Sequence, residues 1–335
     1  MKLIVQIPCL NEEATLPSVL RTIPSTIPGI DKIEILVVDD GSDDDTVAVA
    51  REHGVDHILR HTRRMGLARS FRDGVDFALA HGADIVVNTD GDNQYPQERI
   101  GDLVEPILAG RADIVIGDRQ THTIAHFSPF KRAMQRFGSW VVNRAAGTRL
   151  PDAASGFRAY SRYSLYRLNV VTQFSYTMET IIQAGNKSLA IESVEIDTNA
   201  KTRESRLFSN MFEHMLRSGQ AILRSYIVFR PWSVFAGLTA VFGVAGLIPF
   251  ARYAVLLAGG DEGNHYQSLM LGTLLLIGAG LSLALGVLSD IAKTNRILGE
   301  DQLYRLKEQQ YGPARPAATV ARGVRTPGQR RPRAS

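Results

Sequence analysis

The sequence holds one cysteine, Cys9, in 335 residues. That excludes an internal disulfide and suits a reducing compartment. Neither a G-x-x-x-x-G-K-S/T stretch nor a G-x-G-x-x-G turn follows the first apolar run, MKLIVQIPCLNEE. This counts against a P-loop nucleotide hydrolase and against a dinucleotide dehydrogenase. The run is also too short for a secretory signal, so nothing in it argues for export.

Two later stretches lack charge altogether: SVFAGLTAVFGVAGLIPF over 233–250 and SLMLGTLLLIGAGLSLALGVL over 268–288. Each is long enough to cross a bilayer, and their closely spaced small residues suit two helices packed on one another. A buried core helix is the alternative for either run alone, and two in tandem weigh against it. Arg217, Arg224 and Arg230 precede the first run and Lys293 and Arg296 follow the second, whereas the connection GGDEGNHYQ carries no Lys or Arg. By the positive-inside rule both chain ends then face the cytoplasm, which predicts an integral protein of the cytoplasmic membrane. Residues 207–231 mix Leu207, Met211, Met215, Ile222 and Tyr226 with basic residues and predict amphipathic interfacial helices ahead of spans at 232–257 and 267–290. The tail, 311–335, carries six arginines, no acid, and much Pro, Gly and Ala, so disorder and attraction to anionic headgroups are expected. No aromatic interleaving accompanies those arginines, and nucleic acid is not an expected partner.

With a hydrophobic fraction of 44%, the chain has ample material for a core. Up to about residue 120, LIVQIP, IEILVVDD, ADIVVNTD and ADIVIGDR read as strands, separated by helical stretches such as LARSFRDGVDFALAHG. The alternation predicts βαβ units and a mostly parallel twisted sheet, covered on both faces. After the first strand comes PCLNEE, where Asn11 is expected to cap a helix beginning near Glu12. After the second comes DDGSDDDT, whose Asp39 and Asp40 suit a base or ribose at the sheet edge or, equally, a capped turn. The third runs into DGDNQYP, which puts Asp90 and Asp92 one residue apart at the edge where ligands collect in open α/β sheets. An EF-hand register fails, because Tyr95 and Gly101 stand where Gly and Glu would be needed. A solvated acidic turn and a site for a hard divalent cation both remain open at this point.

Taken together, P-x-x-N-E at Pro8 to Glu12, D-D-G-S-x-D-x-T at Asp39 to Thr46, D-x-D-x-Q at Asp90 to Gln94, the GDR arginine Arg119, and SGFRAYSR at Ser155 to Arg162 resemble glycosyltransferase family 2. Within it the chain is similar to the polyprenyl-phosphate, dolichyl-phosphate mannosyltransferase-like branch. The resemblance implies a GT-A catalytic domain over 1–206, a nucleotide-diphosphate sugar donor, a polyprenyl phosphate acceptor and Mg²⁺ or Mn²⁺. It further implies that Pro8, Asn11, Glu12, Asp39, Asp40 and Asp90 hold the nucleotide, that Asp90, Asp92 and Gln94 carry the metal, and that Asp92 and Arg119 are catalytic. Arg119, Lys131, Arg132, Arg136 and Arg206 would then meet the acceptor phosphate, since arginine forks bind phosphate oxygens bidentately. Arg158, Arg203 and Arg206 are expected either to close over donor or acceptor, or to be charges on a solvated or membrane-facing surface. Glu179 and His126 suit either substrate contact or structure.

The chain departs from the branch in three places. Lys131 and Gln135 stand where arginine and serine are usual, and Leu10 replaces an aromatic before Asn11. Q-x-x-R-W, typical of processive synthases in the family, is absent, which favours transfer of a single sugar. The competing readings are a transferase for another lipid or glycan acceptor, and a membrane protein that binds nucleotide sugar without turnover.

Overall fold

The computed structural model describes residues 1–119, 139–140, 142–144, 146–171, 176–199, 231–260, 263 and 266–314. Two compact units emerge: Met1–Ser139 with Arg149–Glu204 and Glu308–Ser335, and Trp140–Thr148 with Ser205–Lys307.

The first unit is built on a sheet of seven strands among the described residues: β1 (Lys2–Cys9), β2 (Lys32–Asp39), β3 (His57–Arg60), β4 (Ile85–Asn88), β5 (Ile114–Asp118), β6 (Arg158–Ser161) and β7 (Ile191–Glu195). Their spatial order is β3-β2-β1-β4-β6-β5-β7. Neighbours pair in parallel except at β6, which runs antiparallel to both β4 and β5. The four expected strands are present as β1, β2, β4 and β5. Because β6 alone is reversed, its N-terminal end lies beside the C-terminal ends of β4 and β5, with Arg158 opposite both Asn88 and Ile116.

Helices α1 (Leu16–Thr22), α2 (Thr46–Glu52), α3 (Leu67–Ala80), α4 (Ile100–Leu108), α5 (Arg162–Arg167) and α6 (Tyr176–Asn186) accompany the sheet. Leu3, Ile4, Val5 and Ile7 of β1 are fully buried, as expected of a strand covered on both faces. Each such side chain contributes roughly 1.5–3 kcal/mol by leaving water. Helix α3 turns Ala68, Phe71, Val75, Ala78 and Leu79 inward at helical spacing. It approaches the sheet so closely at Gly74 that a Cβ there would stand 2.7 Å from the Gln6 side chain. Gln6 is itself fully buried in β1, and its amide donates to the Phe71 carbonyl at 3.1 Å.

In the second unit, α7 (Pro231–Ala258) and α8 (Tyr266–Tyr311) are each long and apolar enough to cross a membrane. They meet through glycine, since a Cβ on Gly272 would stand 2.7 Å from the Phe250 ring and 2.9 Å from the Gly246 carbonyl. This is the close backbone approach that small residues permit between helices in lipid. Helix α8 continues past its apolar run as one element to Tyr311.

Glu34 on β2 anchors the far edge of the sheet. Only 4% of it is exposed, and Lys2 and Lys32 each approach it to 2.6 Å while His57 Nε2 lies at 2.8 Å. Burial pushes this carboxyl up, but hydrogen bonds from Lys2, Lys32 and His57 outweigh that and hold it at about 2. A group depressed on folding stabilises the chain above its unfolded value, near 4.5, and loses that contribution as pH falls through about 2. Glu34→Gln is therefore expected to lower the melting temperature of the detergent-solubilised chain at pH 7. The gap from the native chain should shrink between about pH 4.5 and about pH 2. A gap that stays constant over this window would show that the carboxylate's charge is not what stabilises the fold.

Candidate active site

The strand directions bring the PCLNEE, DDGSDDDT and DGDNQ loops to one sheet edge. Asn11 does not cap α1, which begins at Leu16 with Pro17 in its first turn. It adopts a left-handed backbone, φ 56°, and its polar groups reach across to the next loop. Its N–H donates to Ser42 Oγ at 2.9 Å, and its Oδ1 accepts from the Asp43 N–H at 2.9 Å. The Glu12 N–H donates to Thr46 Oγ1 at 2.8 Å, which laces the two loops together.

Within DDGS the two aspartates differ. Asp39 is fully buried; its Oδ1 accepts from the Ser42 N–H at 3.1 Å. Its Oδ2 faces Arg60 Nε at 3.1 Å without the alignment of a hydrogen bond. Asp40 accepts from His61 Nδ1 and from the backbone N–H groups of Met65 and Gly66, each at 2.8 Å. It thereby holds the 61–66 loop against Gly41, where φ is +80° and a Cβ would stand 2.8 Å from the Arg63 carbonyl carbon.

The acid pair follows β4. Gly91 lies so close to Cys9 and Glu12 that a Cβ would stand 3.0 Å from Cys9 Sγ. Gly156, from SGFR, backs the Asp90 carboxylate with only 3.1 Å between its ideal Cβ position and Oδ2. Its N–H donates to Tyr95 Oη at 2.9 Å, and its carbonyl accepts from Asn88 Nδ2 at 3.1 Å. Gln94 Nε2 donates to Asp92 Oδ2 at 2.6 Å, orienting the second carboxylate. Desolvation and then the charge of Asp92 push the Asp90 carboxyl up to about 7, against the pull of Arg119. Arg119 in turn forks onto Asp152, Nε to Oδ2 at 2.7 Å and Nη2 to Oδ1 at 3.0 Å. Much of its charge is therefore already matched. Among the described residues no group of three or more His, Cys, Asp or Glu is arranged around a common metal position. Two neighbouring carboxylates, one of them pushed up by burial and by the charge of the other, fit a divalent cation whose other ligands come from a diphosphate.

Comparison with known families matches residues 4–168 to the one described as Glycosyl transferase family 2. A dolichyl-phosphate hexose transferase of Haloferax volcanii is 30% identical over 198 residues, 59% of this chain and 82% of the relative. The chain belongs to glycosyltransferase family 2. A polyprenol monophosphomannose synthase of Mycolicibacterium smegmatis is 29% identical, with 50% of this chain matching 64% of that protein's length. An undecaprenyl-phosphate mannosyltransferase of Micrococcus luteus is also 29% identical, over 51% of this chain and 70% of its own. Among solved structures, glucosyl-3-phosphoglycerate synthase of Mycobacterium tuberculosis superposes with a TM-score of 0.53 at 22% identity, covering 68% of this chain and 79% of that one. The fold is the GT-A type expected.

For this family 2 chain, several site residues were not evident from sequence. Asp152, the partner of Arg119, is only 2% exposed. Asn199 staples the acid loop from outside, its Nδ2 donating to the carbonyls of Asn93 and Tyr95 at 3.1 Å. Arg158 is not a surface charge but fully buried at the head of β6. It donates to the carbonyls of Ser155 at 2.7 Å, Thr177 at 2.7 Å and Ala153 at 3.0 Å, and to Thr180 Oγ1 at 2.8 Å. Those bonds tie the loop carrying Asp152 and Gly156 to α6. Glu179 is also buried and accepts from the Val171 N–H and from Gln183 Nε2. His126, Lys131, Arg132, Gln135, Arg136, Arg203 and Arg206 lie outside the described residues.

Gly156→Ala would put a methyl 3.1 Å from Asp90 Oδ2, so that the carboxylate must shift by a few tenths of an ångström. The expected result is a fall in sugar transfer on the order of 10²-fold with the fold retained. Gly101→Ala, at a helical site with nothing within 4 Å, serves as the control and should leave transfer unchanged. Native transfer by the Gly156→Ala protein would place the reacting centre away from Asp90.

Proposed function

We propose that this chain is a membrane-anchored inverting glycosyltransferase that moves one sugar from a nucleoside diphosphate donor to a polyprenyl phosphate at the cytoplasmic leaflet. The observation that carries this reading is the crowded acid pair, Asp90 and Asp92, within electrostatic reach of the clamped Arg119. The names of the three relatives above support a polyprenyl phosphate acceptor. The neighbouring M. tuberculosis enzyme has also been solved with Mn²⁺, uridine diphosphate and phosphoglyceric acid, at a TM-score of 0.53 and 20% identity. That supports a donor diphosphate and a divalent cation at the level of the fold.

In this reading Asp90 and Asp92 hold Mg²⁺ or Mn²⁺, with Gln94 setting the rotamer of Asp92. A bound cation supplies charge stabilisation to the departing nucleoside diphosphate. Asp39 Oδ2 serves the base or ribose once Arg60, which lies over it at 3.1 Å, moves aside, and Asn11 and Glu12 keep the adjoining loop in place. Pro8 ends the apolar part of β1, and Asp40 acts indirectly by holding the 61–66 loop. Arg119 uses two of its five N–H donors on Asp152, leaving the rest to face phosphate oxygens. An acceptor phosphate is already an anionic nucleophile, so attack on the anomeric carbon from the side opposite the diphosphate needs no general base. Lys131, Arg132, Arg136 and Arg206 are the further candidates for positioning that phosphate. In this reading the catalytic domain spans 1–206 and the membrane spans lie at 232–257 and 267–290, while the interfacial stretch expected at 207–231 and the basic tail expected at 311–335 fall, apart from residues 231 and 311–314, outside the described residues.

The test is transfer of label from a panel of radiolabelled nucleotide sugars into organic-extractable lipid by the reconstituted full chain, with added polyprenyl phosphate and Mg²⁺ or Mn²⁺. Product should vanish on chelation and in Asp92→Ala. Arg119→Ala should lose on the order of 10²–10³-fold in turnover while still binding donor. Donor binding without lipid labelling under any acceptor would move the assignment to another acceptor class or to a non-catalytic sensor.

A further inference from the structure

We propose that the chain docks through Trp140 and Arg144, among the helical residues 139–140, 142–144 and 146, on the headgroup layer of an anionic bilayer. The inference rests on reading α7 and α8 as membrane spans. The chain has two tryptophans, Trp140 and Trp232. Both belong to the compact unit that contains α7 and α8, although Trp140 is distant from them in sequence. Both are exposed, Trp140 at 61% and Trp232 at 43%. Trp232 stands in the first turn of α7, where an apolar helix begins. An indole at that position suits the water–lipid boundary, with its ring among the headgroups and its N–H hydrated.

Trp140 presents the same chemistry on a separate piece of chain. Residues 140, 142–144 and 146 are helical, with Val142 fully buried and Ala146 only 5% exposed. The inner face is therefore anchored by protein. Trp140 and the exposed Arg144 are four residues apart, which puts them on one helix face. Just past the helix, the Thr148 N–H donates to the Asn143 carbonyl at 3.1 Å and its Oγ1 to Asn143 Oδ1 at 2.9 Å, fixing the end of the segment. A large apolar ring held outward beside a guanidinium fits a surface that is apolar below and anionic above. Charge complementarity with lipid phosphate and membership of the same unit as the two apolar helices both favour the bilayer over a protein partner.

The test uses the full chain in nanodiscs, with Trp232→Phe leaving Trp140 as the sole indole and Trp140→Phe as the reciprocal protein. Quenching of emission is compared for lipids brominated near the headgroup, lipids brominated near the bilayer centre, and aqueous acrylamide. Trp140 should be quenched more by the shallow bromines than by the deep ones and be shielded from acrylamide. Replacing anionic by zwitterionic lipid, or Arg144→Glu, should weaken bilayer contact by about fivefold, as expected for one basic residue at an anionic surface. Bromolipid quenching of Trp232 but not of Trp140 would overturn this docking and leave the spans intact. Quenching of neither indole by bromolipid would overturn the spans together with the docking. Trp140 shielded from every quencher would mean that protein covers it, which also overturns the proposal.

Discussion

Repulsion between two carboxylates organises this protein. Asp90 and Asp92 leave the same strand one residue apart, and burial together with the charge of Asp92 pushes the Asp90 carboxyl up to about 7. Gly91 lies against Cys9 and Glu12, Gly156 closes on Asp90 from behind, and Gln94 grips Asp92. Arg119 would be the natural relief, yet Asp152 already claims two of its donors. This acid pair lies at the edge of a sheet whose loops are cross-braced by Asn11, Ser42 and Thr46. A cation together with an anionic ligand would complete this arrangement, as proposed above.

The reversed strand β6 makes the arrangement possible. Running antiparallel between β4 and β5, it delivers the SGF turn to the edge where the other strands end. The buried guanidinium of Arg158 then pins that turn to α6 through neutral oxygens, and no carboxylate stands among those bonds. This spares the carboxylates of the site, and it explains why arginine is suited to the position: several fixed N–H directions are needed at once.

Much of this was legible in the sequence because the signals were local. Apolar runs gave β1, β2, β4 and β5, the last three ending in acid, and the uncharged runs gave α7 and α8. The motif set led to the family and to Asp90, Asp92 and Arg119. What escaped depended on distant pairing. β3, β6 and β7 take their place through pairing with distant strands, and the antiparallel placement of β6 is a tertiary choice that no local period encodes. Asp152 and Asn199 carry ordinary loop identities and matter only through what they meet across the fold. Asn11 was expected to cap a helix, the usual use of asparagine before a helical run. Its left-handed backbone and its bonds to the neighbouring loop prevailed, and the helix begins later, at Leu16. For Arg158 the sequence left substrate contact and surface charge both open, and its burial among backbone carbonyls was neither, because a buried arginine without an acid beside it in sequence gives no warning.

The central claim is that the acid pair is completed jointly by a cation and a diphosphate, and thermodynamic coupling between the two ligands tests it most directly. Mn²⁺ binding to the purified full chain would be followed by electron paramagnetic resonance, with and without a saturating nucleoside diphosphate, in the native protein and in Asp92→Ala. The account predicts weak Mn²⁺ binding alone, a tenfold or greater tightening with the nucleotide, on the order of 1.4 kcal/mol of coupling, and loss of that tightening in Asp92→Ala. Mn²⁺ affinity indifferent to the nucleotide, or unchanged by the substitution, would contradict it.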